Sequence, residues 1–433
     1  MEKNKFLKIF ESEFIRNSTV LLSGNTAGQA IALLTMPVLS RLYTKDDFGL
    51  FALFTSISGI LIILGTGKYE EAFVITSNRK ESSALLNFSL RLLIVFCLLI
   101  FLVLWLFGSP CLSFFNMEVL LDYWYWIPLY MFFSGFFILM TYVANREKKY
   151  KIIASANLST NGLTSMLKIA FKFLTTGAAG LISGQTVGQL FSCFSFHKLK
   201  QILKDSIHHN WQESKKAGIK FRDFPKFTMP RSFIDSFSAN MPFFLLTGIF
   251  GEAQLGLFFL AFNISFRPVN LISNSIYQVL YENVARQKEN SEKISSEINQ
   301  YQRYCLLLAL PLFVIVFIFS EWLFKTIFGV QWEESGRYFR YILPWIFMLL
   351  LTSPLGFLPL VFHKQKQHMY LGFVQFLCRL AALGAGIYFK DFNLAILLFC
   401  ITGLVFSLTI QLWYRFLINN YEKKRNDDST ENH

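Results

Sequence analysis

Long apolar blocks recur along almost the whole sequence, and this pattern limits the folds that are open to it. Of its 433 residues, 53% are hydrophobic and only 16% are charged. A block of about 20 apolar residues is long enough to cross a bilayer as a helix. Because the bilayer core holds no water, the helix must satisfy its own backbone polar groups. The sequence therefore predicts an all-α polytopic membrane protein with about twelve spans.

The predicted spans cover residues 17–40, 47–67, 84–108, 124–143, 152–174, 178–197, 230–249, 255–280, 304–328, 341–362, 369–389 and 392–417.

The basic residues are distributed unevenly among the segments that connect these spans. The formal net charge is +13. If the N-terminus is cytoplasmic, most lysines and arginines fall on the cytoplasmic side, as the positive-inside rule predicts for an even number of spans. The charge thus indicates topology, with both termini in the cytoplasm. We expect no nucleic-acid partner.

A long polar interval divides the chain into two halves. The predicted domains are an N-terminal six-helix bundle (1–197), a basic cytoplasmic linker (198–226), a C-terminal six-helix bundle (227–417) and a cytoplasmic tail (418–433). A faint repeat supports the division, since the five residues from Gly49 match those from Gly256. This repeat predicts a pseudo-two-fold axis along the membrane normal and a binding site where the halves meet. Chance similarity between Phe- and Leu-rich helices is the alternative.

One narrow face of the span at residues 255–280 is polar. Asn263, Arg267, Asn270 and Asn274 recur there at helical spacing. A charge inside the bilayer is costly unless it faces protein or water, so such residues mark functional sites. We predict a transporter of a polar cargo, in which the guanidinium meets an anionic group such as a lipid-linked phosphate. The amides would then bind sugar hydroxyls.

Other polar residues inside the spans are weaker candidates for the same water-filled cavity. Arg91, Lys168 and Arg379 lie within predicted spans. For these residues, as for Arg267, pairing with an acid or with helix-end carbonyls, or snorkelling, is the alternative. Asn25 and Gln29 share one face of the first span. Small and amide residues can equally hold helices together inside a bilayer.

Two acidic residues are candidates for a coupling proton or cation. Glu70 follows the second predicted span, where an exposed interfacial carboxylate is the alternative. Asp235 stands one helical turn from Arg231, where a local ion pair is the alternative. The chain carries no phosphate-binding loop motif and no cysteine or histidine cluster with ligand spacing, so we expect neither cofactor nor metal.

Several phrases of the sequence resemble Wzx-type polysaccharide transport proteins. They are residues 40–51, 68–70, 223–227, 267–268 and 277–281. This group belongs to the multidrug/oligosaccharidyl-lipid/polysaccharide exporter (MOP) superfamily, together with the MATE transporters and the lipid II flippase MurJ. The resemblance covers the whole chain and is best in the first two spans and in the seventh and eighth.

The resemblance implies two six-helix bundles in a V and a flippase, not an enzyme. The implied cargo is an undecaprenyl-pyrophosphate-linked oligosaccharide, moved across the bacterial cytoplasmic membrane by alternating access through a cationic cavity. Arg267 matches the Arg-Pro of the family phrase. The implied pathway is O-antigen, capsule or exopolysaccharide biosynthesis, with membrane lipids, a polysaccharide polymerase and other assembly proteins as expected partners.

The residues leave two other functions open. A MATE-like exporter of small cations would want buried carboxylates, whereas the predicted spans hold more cations than acids. A membrane glycan polymerase or ligase is the second alternative. Short outer loops without clustered acids or histidines weigh against it.

Overall fold

The structure is a computed structural model that describes residues 13–114, 116–289 and 293–431. Over these ranges the chain is helical and contains no β-strand. A helix occupies every predicted span, which confirms the all-α polytopic fold. The first residues of the predicted N-terminal bundle and the last of the predicted tail lie outside the described ranges.

In chain order the helices are α1 (Glu13–Leu34), α2 (Met36–Leu42), α3 (Lys45–Thr66), α4 (Arg79–Phe114), α5 (Trp126–Arg146), α6 (Tyr150–Lys172), α7 (Ala179–Cys193), α8 (Lys200–Ile207), α9 (Trp211–Lys220), α10 (Met229–Leu245), α11 (Thr247–Phe250), α12 (Glu252–Glu289), α13 (Ser295–Tyr304), α14 (Leu310–Phe328), α15 (Glu333–Thr352), α16 (Leu358–Val361), α17 (Gln365–Tyr388) and α18 (Phe392–Glu431).

Nine of the described helical segments are long and apolar enough to cross a membrane by length and composition. Helices α1, α6 and α7 are not among them, although each occupies a predicted span. Their polar residues meet one another, as where Asn157 Nδ2 donates to Asn25 Oδ1 at 2.5 Å. Gly24 lies directly against Ala154, which lets α1 and α6 approach closely. Mutual packing through small and amide residues explains why these helices need less apolar surface.

Helices α4 and α14 expose the largest share of their apolar surface. Leu98, Leu102 and Trp105 on α4 are exposed, as are Leu312 and Ile315 on α14. Such surfaces suit contact with lipid chains, which are as apolar as leucine. The two helices occupy the third and ninth predicted spans, positions that the predicted repeat relates.

The chain divides into two compact units, Met1–Gly256 (unit 1) and Leu257–His433 (unit 2). This division falls inside α12, after the polar interval. It does so because α10 packs against α3 within unit 1, where Ser56 Oγ donates to Asn240 Oδ1 at 3.0 Å. The domain division at the polar interval stays a prediction.

The predicted linker contains two helices, α8 and α9, that dock on α4 in unit 1. Asn87 of α4 forms a hydrogen bond with each helix. Its Nδ2 donates to the Ser206 carbonyl at 2.8 Å, and its Oδ1 accepts from Ser214 Oγ at 3.0 Å. Trp211 stacks on Phe88 with the ring centroids 6.1 Å apart. The linker is therefore a packed part of unit 1.

Unit 2 contains a buried aromatic cluster where α12, α15 and α18 meet. Phe258, Tyr338 and Phe399 are fully buried, and Trp345 nearly so. The rings of Trp345 and Phe399 lie edge to face at 5.8 Å, a geometry that aromatic pairs prefer. This cluster fixes α12 and α18 against α15 and encloses a basic residue of α17, described below.

Candidate functional site

The polar stripe of α12 lies on one helix face, as its spacing predicts. Asn263 and Arg267 are half-buried, whereas Asn270 and Asn274 are exposed. Asn263 Nδ2 donates to the Phe259 carbonyl of its own helix at 2.9 Å. The side chains of Asn270 and Asn274 thus point away from the packed interior, where they can meet water or a polar ligand.

Pro268 stands inside α12, directly after the arginine of the stripe. Proline has no backbone N–H, so the hydrogen bond to the carbonyl of Ile264 is lost. The helix therefore presents an additional polar group beside Arg267. Irregular backbone of this kind is tolerated at membrane depth where it is buried in protein or lines a water-filled cavity.

Arg267 differs from the other cations inside the spans in its surroundings. Among the described side chains it has no carboxylate within ion-pair distance, no hydrogen-bond partner and no aromatic ring beneath it. A guanidinium is a planar group with five N–H donors and cannot be neutralised in proteins. Its donors are consequently available to an anionic ligand.

Arg379 is enclosed within unit 2. Its side chain is 7% exposed, and its guanidinium carbon lies 5.0 Å from the centre of the Trp345 ring and 4.9 Å from that of Phe399. Cation–π contacts between two aromatic faces stabilise a desolvated guanidinium. This geometry indicates a packing role for Arg379.

Arg91 and Lys168 belong to unit 1 and also lie over aromatic rings. The Arg91 guanidinium carbon is 5.4 Å from the Trp211 ring of the docked linker. Lys168 Nζ is 4.6 Å from the Phe51 ring, and the Tyr43 hydroxyl donates to the Lys168 carbonyl at 2.6 Å. Arg267 belongs to the other unit, unit 2.

The amides of the first span take part in contacts between helices. Asn25 accepts the hydrogen bond from Asn157 described above, and Gln29 is half-buried one turn further along α1. This arrangement favours the helix-packing interpretation for Asn25. Gln29 stays a cavity candidate.

Glu70 is a buried carboxylate, not an exposed interfacial one. It lies in a 3-10 segment, Tyr69–Ile75, and is only 2% exposed. Lys68 Nζ is 3.5 Å from Glu70 Oε1 and 3.2 Å from Glu71 Oε1. Burial raises the pKa of the Glu70 carboxyl above its usual range, although Lys68 opposes the shift. A carboxyl in this environment is suited to bind and release a proton.

A local feature of the sequence places Glu70 inside the protein. Gly67 adopts a left-handed conformation, with φ of 58°, that ends α3, and Lys68 follows with φ of 60°. Glycine at this position is a common helix C-cap, because it accommodates a positive φ without strain. Two successive left-handed residues turn the chain back toward α5, so the next side chains pack inward.

Asp235 lies on the surface of α10. It forms an ion pair with Arg231, one turn earlier, at 3.8 Å, as their spacing predicts. The two side chains are 55% (Arg231) and 65% (Asp235) exposed. Thr44 and Asp47 form a capping box at the start of α3.

Comparison with solved structures identifies the class of fold. The chain is similar to a structure of the lipid II flippase MurJ in an inward closed conformation, with a TM-score of 0.71 and 13% identity over 95% of this chain and 90% of that one. An inward-facing MATE family multidrug transporter of the MOP superfamily matches with a TM-score of 0.66 and 12% identity, over 95% and 99%. A MOP superfamily transporter from Pyrococcus furiosus matches with a TM-score of 0.57 and 12% identity, over 94% and 96%. The fold is therefore that of the MOP superfamily transporters.

The sequence also matches a family model, whereas no curated protein sequence matches it significantly. The model is described as polysaccharide biosynthesis protein and covers residues 38–337, more than half of the chain. The chain belongs to this family. The matched region includes α12 with its polar stripe and the segment around Glu70.

Proposed function

We propose that the protein is a flippase that moves an undecaprenyl-pyrophosphate-linked oligosaccharide across the bacterial cytoplasmic membrane. The cargo would be a repeat unit of a surface polysaccharide such as O-antigen, capsule or exopolysaccharide. Membership of the polysaccharide biosynthesis family and the MOP-type fold support a flippase. The observation that carries the cargo assignment is Arg267 on α12.

The chemistry of the stripe suits a pyrophosphate joined to a sugar. Arg267 offers a planar fork of donors that matches phosphate oxygens in a bidentate manner. Asn270 and Asn274, one and two turns further along the same face, offer both donors and acceptors to sugar hydroxyls. The guanidinium would bind the pyrophosphate and the neutral amides would bind the glycan. The order of these residues along α12 matches the order of the two groups in the cargo.

The role of Arg267 is tested by expressing variants in a strain from which the chromosomal gene has been deleted. We expect Arg267→Ala to reduce export of the polysaccharide by about tenfold or more, because a charge-assisted hydrogen bond to the cargo is lost. Lipid-linked repeat units should accumulate in the inner leaflet. Arg267→Lys should restore part of the activity, since it retains the charge without the fork.

Arg286 provides a matched control on the same helix. It is exposed and lies beyond the apolar part of α12. Arg286→Ala should leave export unchanged at equal expression. Full activity of both Arg267 variants would refute the proposed role.

The coupling of transport to an ion gradient is a separate part of the proposal. Glu70 is the stronger candidate because it is buried and has a raised pKa, whereas Asp235 is exposed and paired with Arg231. A MATE-like exporter of cations is disfavoured because the half-buried charge of the stripe is a guanidinium. Unchanged levels of lipid-linked repeat units in the inner leaflet of a deletion strain would favour that alternative.

A further inference from the structure

A small polar pocket lies in unit 2, and no residue of the α12 stripe lines it. It has a volume of about 150 Å³ and is formed by α13, α18 and the 3-10 turn Ser353–Leu355. Its polar lining consists of Ser295, Asn299, Gln302, Gln411, Arg415 and Asn419. One water occupies about 30 Å³ in the liquid, so the pocket is several times larger than a single water.

Two buried amides of this pocket have polar atoms without partners among the described residues. Gln302 is 4% exposed, and its Nε2 has no acceptor. Gln411 is 8% exposed, and its Oε1 has no donor. Buried polar atoms are nearly always hydrogen-bonded in proteins. Both residues line the pocket, so a small rotation of each side-chain amide would pair its buried polar atom with a polar occupant.

The hydrogen bonds of the pocket define which groups that occupant must carry. Arg415 Nη2 donates to Gln302 Oε1 at 3.1 Å, and since arginine only donates, Gln302 Nε2 is left as a donor that needs an acceptor. Gln411 stands one helical turn before Arg415 on the same face of α18. A hydroxyl beside Gln411 satisfies either orientation of its amide, because a hydroxyl both donates and accepts.

The pocket also carries a positive charge that is not neutralised. No carboxylate of the described residues lies within ion-pair distance of Arg415, and its remaining N–H groups are free to bind an anion. Directly after α13, Leu307 and Leu308 are exposed apolar residues. Exposed apolar side chains one to two turns beyond Gln302 suit the acyl chains of a lipid.

We propose that this pocket binds a glycerol-phosphate group. The phosphate oxygens accept from Arg415 and Gln302 Nε2, and a glycerol hydroxyl contacts Gln411. The same chemistry occurs in the headgroup of phosphatidylglycerol and in free glycerol 3-phosphate. The exposed apolar residues that follow α13 favour the lipid, and the site is independent of the proposed flippase cargo.

The test uses the purified full-length protein, with lipid binding measured by native mass spectrometry. Phosphatidylglycerol should bind the wild type, and phosphatidylethanolamine should bind more weakly because its ammonium group would face Arg415. Gln302→Glu should weaken phosphatidylglycerol binding by about tenfold or more, since the new carboxylate occupies Arg415 and repels phosphate. This substitution has nearly the same shape and leaves no cavity. Gln411→Leu should weaken binding by removing the hydroxyl contact.

Lys423→Gln is the matched control, because Lys423 is an exposed basic residue two turns further along α18. It should bind phosphatidylglycerol as the wild type does. Competition by glycerol 3-phosphate would support a single site for the lipid headgroup and the soluble compound. Binding of glycerol 3-phosphate without binding of phosphatidylglycerol would support the proposed chemistry with the soluble compound as the ligand. Equal binding by the wild type and both pocket variants, or no binding of either ligand by the wild type, would refute the proposal and leave water as the occupant. If Gln411→Leu unfolds, Gln302→Glu decides the question.

Discussion

Individual residues show why a charge inside a predicted span is not by itself a functional assignment. Arg91, Lys168 and Arg379 each lie over an aromatic ring, whereas Arg267 has no such contact among the described residues. Depth in the membrane marks all four as costly, and only their neighbours distinguish packing from ligand binding. In these three contacts the ring belongs to another helix, and sequence spacing along one helix does not contain that information.

Glu70 leads to a prediction about the dependence of stability on pH. Its pKa is raised in the folded protein above the ordinary value of 4.5, mainly by burial. Between these two pKa values the folded state binds more protons than the unfolded state, so stability should fall as the pH rises through that window. Above the folded pKa, the buried charge is paired with Lys68 but still lacks its hydration. Thermal unfolding of the wild type and Glu70→Gln across this pH range measures the effect.

The Glu70→Gln variant should lose this part of the pH dependence. Glu71→Gln is the matched control, because its carboxyl contacts the same lysine and is 35% exposed. The control should keep the pH dependence of the wild type. An identical pH profile for Glu70→Gln and the wild type would show that the buried carboxyl does not titrate in this range.

At the scale of elements, the glycines that the predicted repeat relates meet in the structure. Gly49 on α3 lies against the Glu252 carbonyl of α12, and Gly256 on α12 lies against the Lys45 carbonyl of α3. A Cβ at Gly49 would stand 1.9 Å from the Glu252 oxygen, and one at Gly256 would stand 1.8 Å from the Lys45 oxygen. The beginnings of the two helices thus approach backbone to backbone, and only glycine allows this contact.

We therefore expect Gly49→Ala and Gly256→Ala to force α3 and α12 apart. Overpacking of this kind destabilises a protein by about 1–3 kcal/mol. Gly59→Ala on α3 is the control, since a Cβ there has nothing within 4 Å. It should be neutral or stabilising, because alanine is favoured over glycine in a helix by about 1 kcal/mol. Thermal unfolding in detergent compares the three variants, and equal melting temperatures would contradict the close contact.

Three of the predicted spans are not among the nine described segments that are long and apolar enough to cross a membrane, and their polar residues explain why. Helices α1 and α6 carry polar residues where they contact each other, such as Asn25 and Asn157. Thr35, directly after α1, donates from Oγ1 to Ser165 Oγ of α6 at 3.1 Å. A helix that buries its polar side against protein exposes less surface to lipid and needs fewer apolar residues. Periodicity and length still placed these helices correctly.

At the scale of the whole molecule, the distribution of basic residues predicts that both chain termini lie on the same side of the membrane. An epitope tag at either end should be protected from protease in intact spheroplasts and cleaved in inverted vesicles. A tag inserted at Lys390–Asp391, between α17 and α18, is the control and should show the opposite pattern. Termini on opposite sides would require an odd number of spans and would overturn the topology.

Much of the architecture could be read from the sequence because the bilayer imposes a length and a composition on each span. The positions of the helices, the stripe of α12 and the cap at Thr44 depend on residues close together in the chain. The docking of the linker on Asn87 could not be read in this way, because it joins residues more than a hundred positions apart. The same is true of the pocket that Gln302 and Arg415 line.

The sequence by itself determined that this chain is a helical membrane protein and which polar groups enter the membrane. Both follow from local composition, since a span must satisfy its own backbone wherever it lies. Only the tertiary structure decided which of those polar groups have partners within the protein. Arg379 is enclosed by Trp345 and Phe399, Glu70 is buried beside Lys68, and the guanidinium of Arg267 has no partner among the described residues. Those differences arise from contacts between distant segments, which no local pattern specifies.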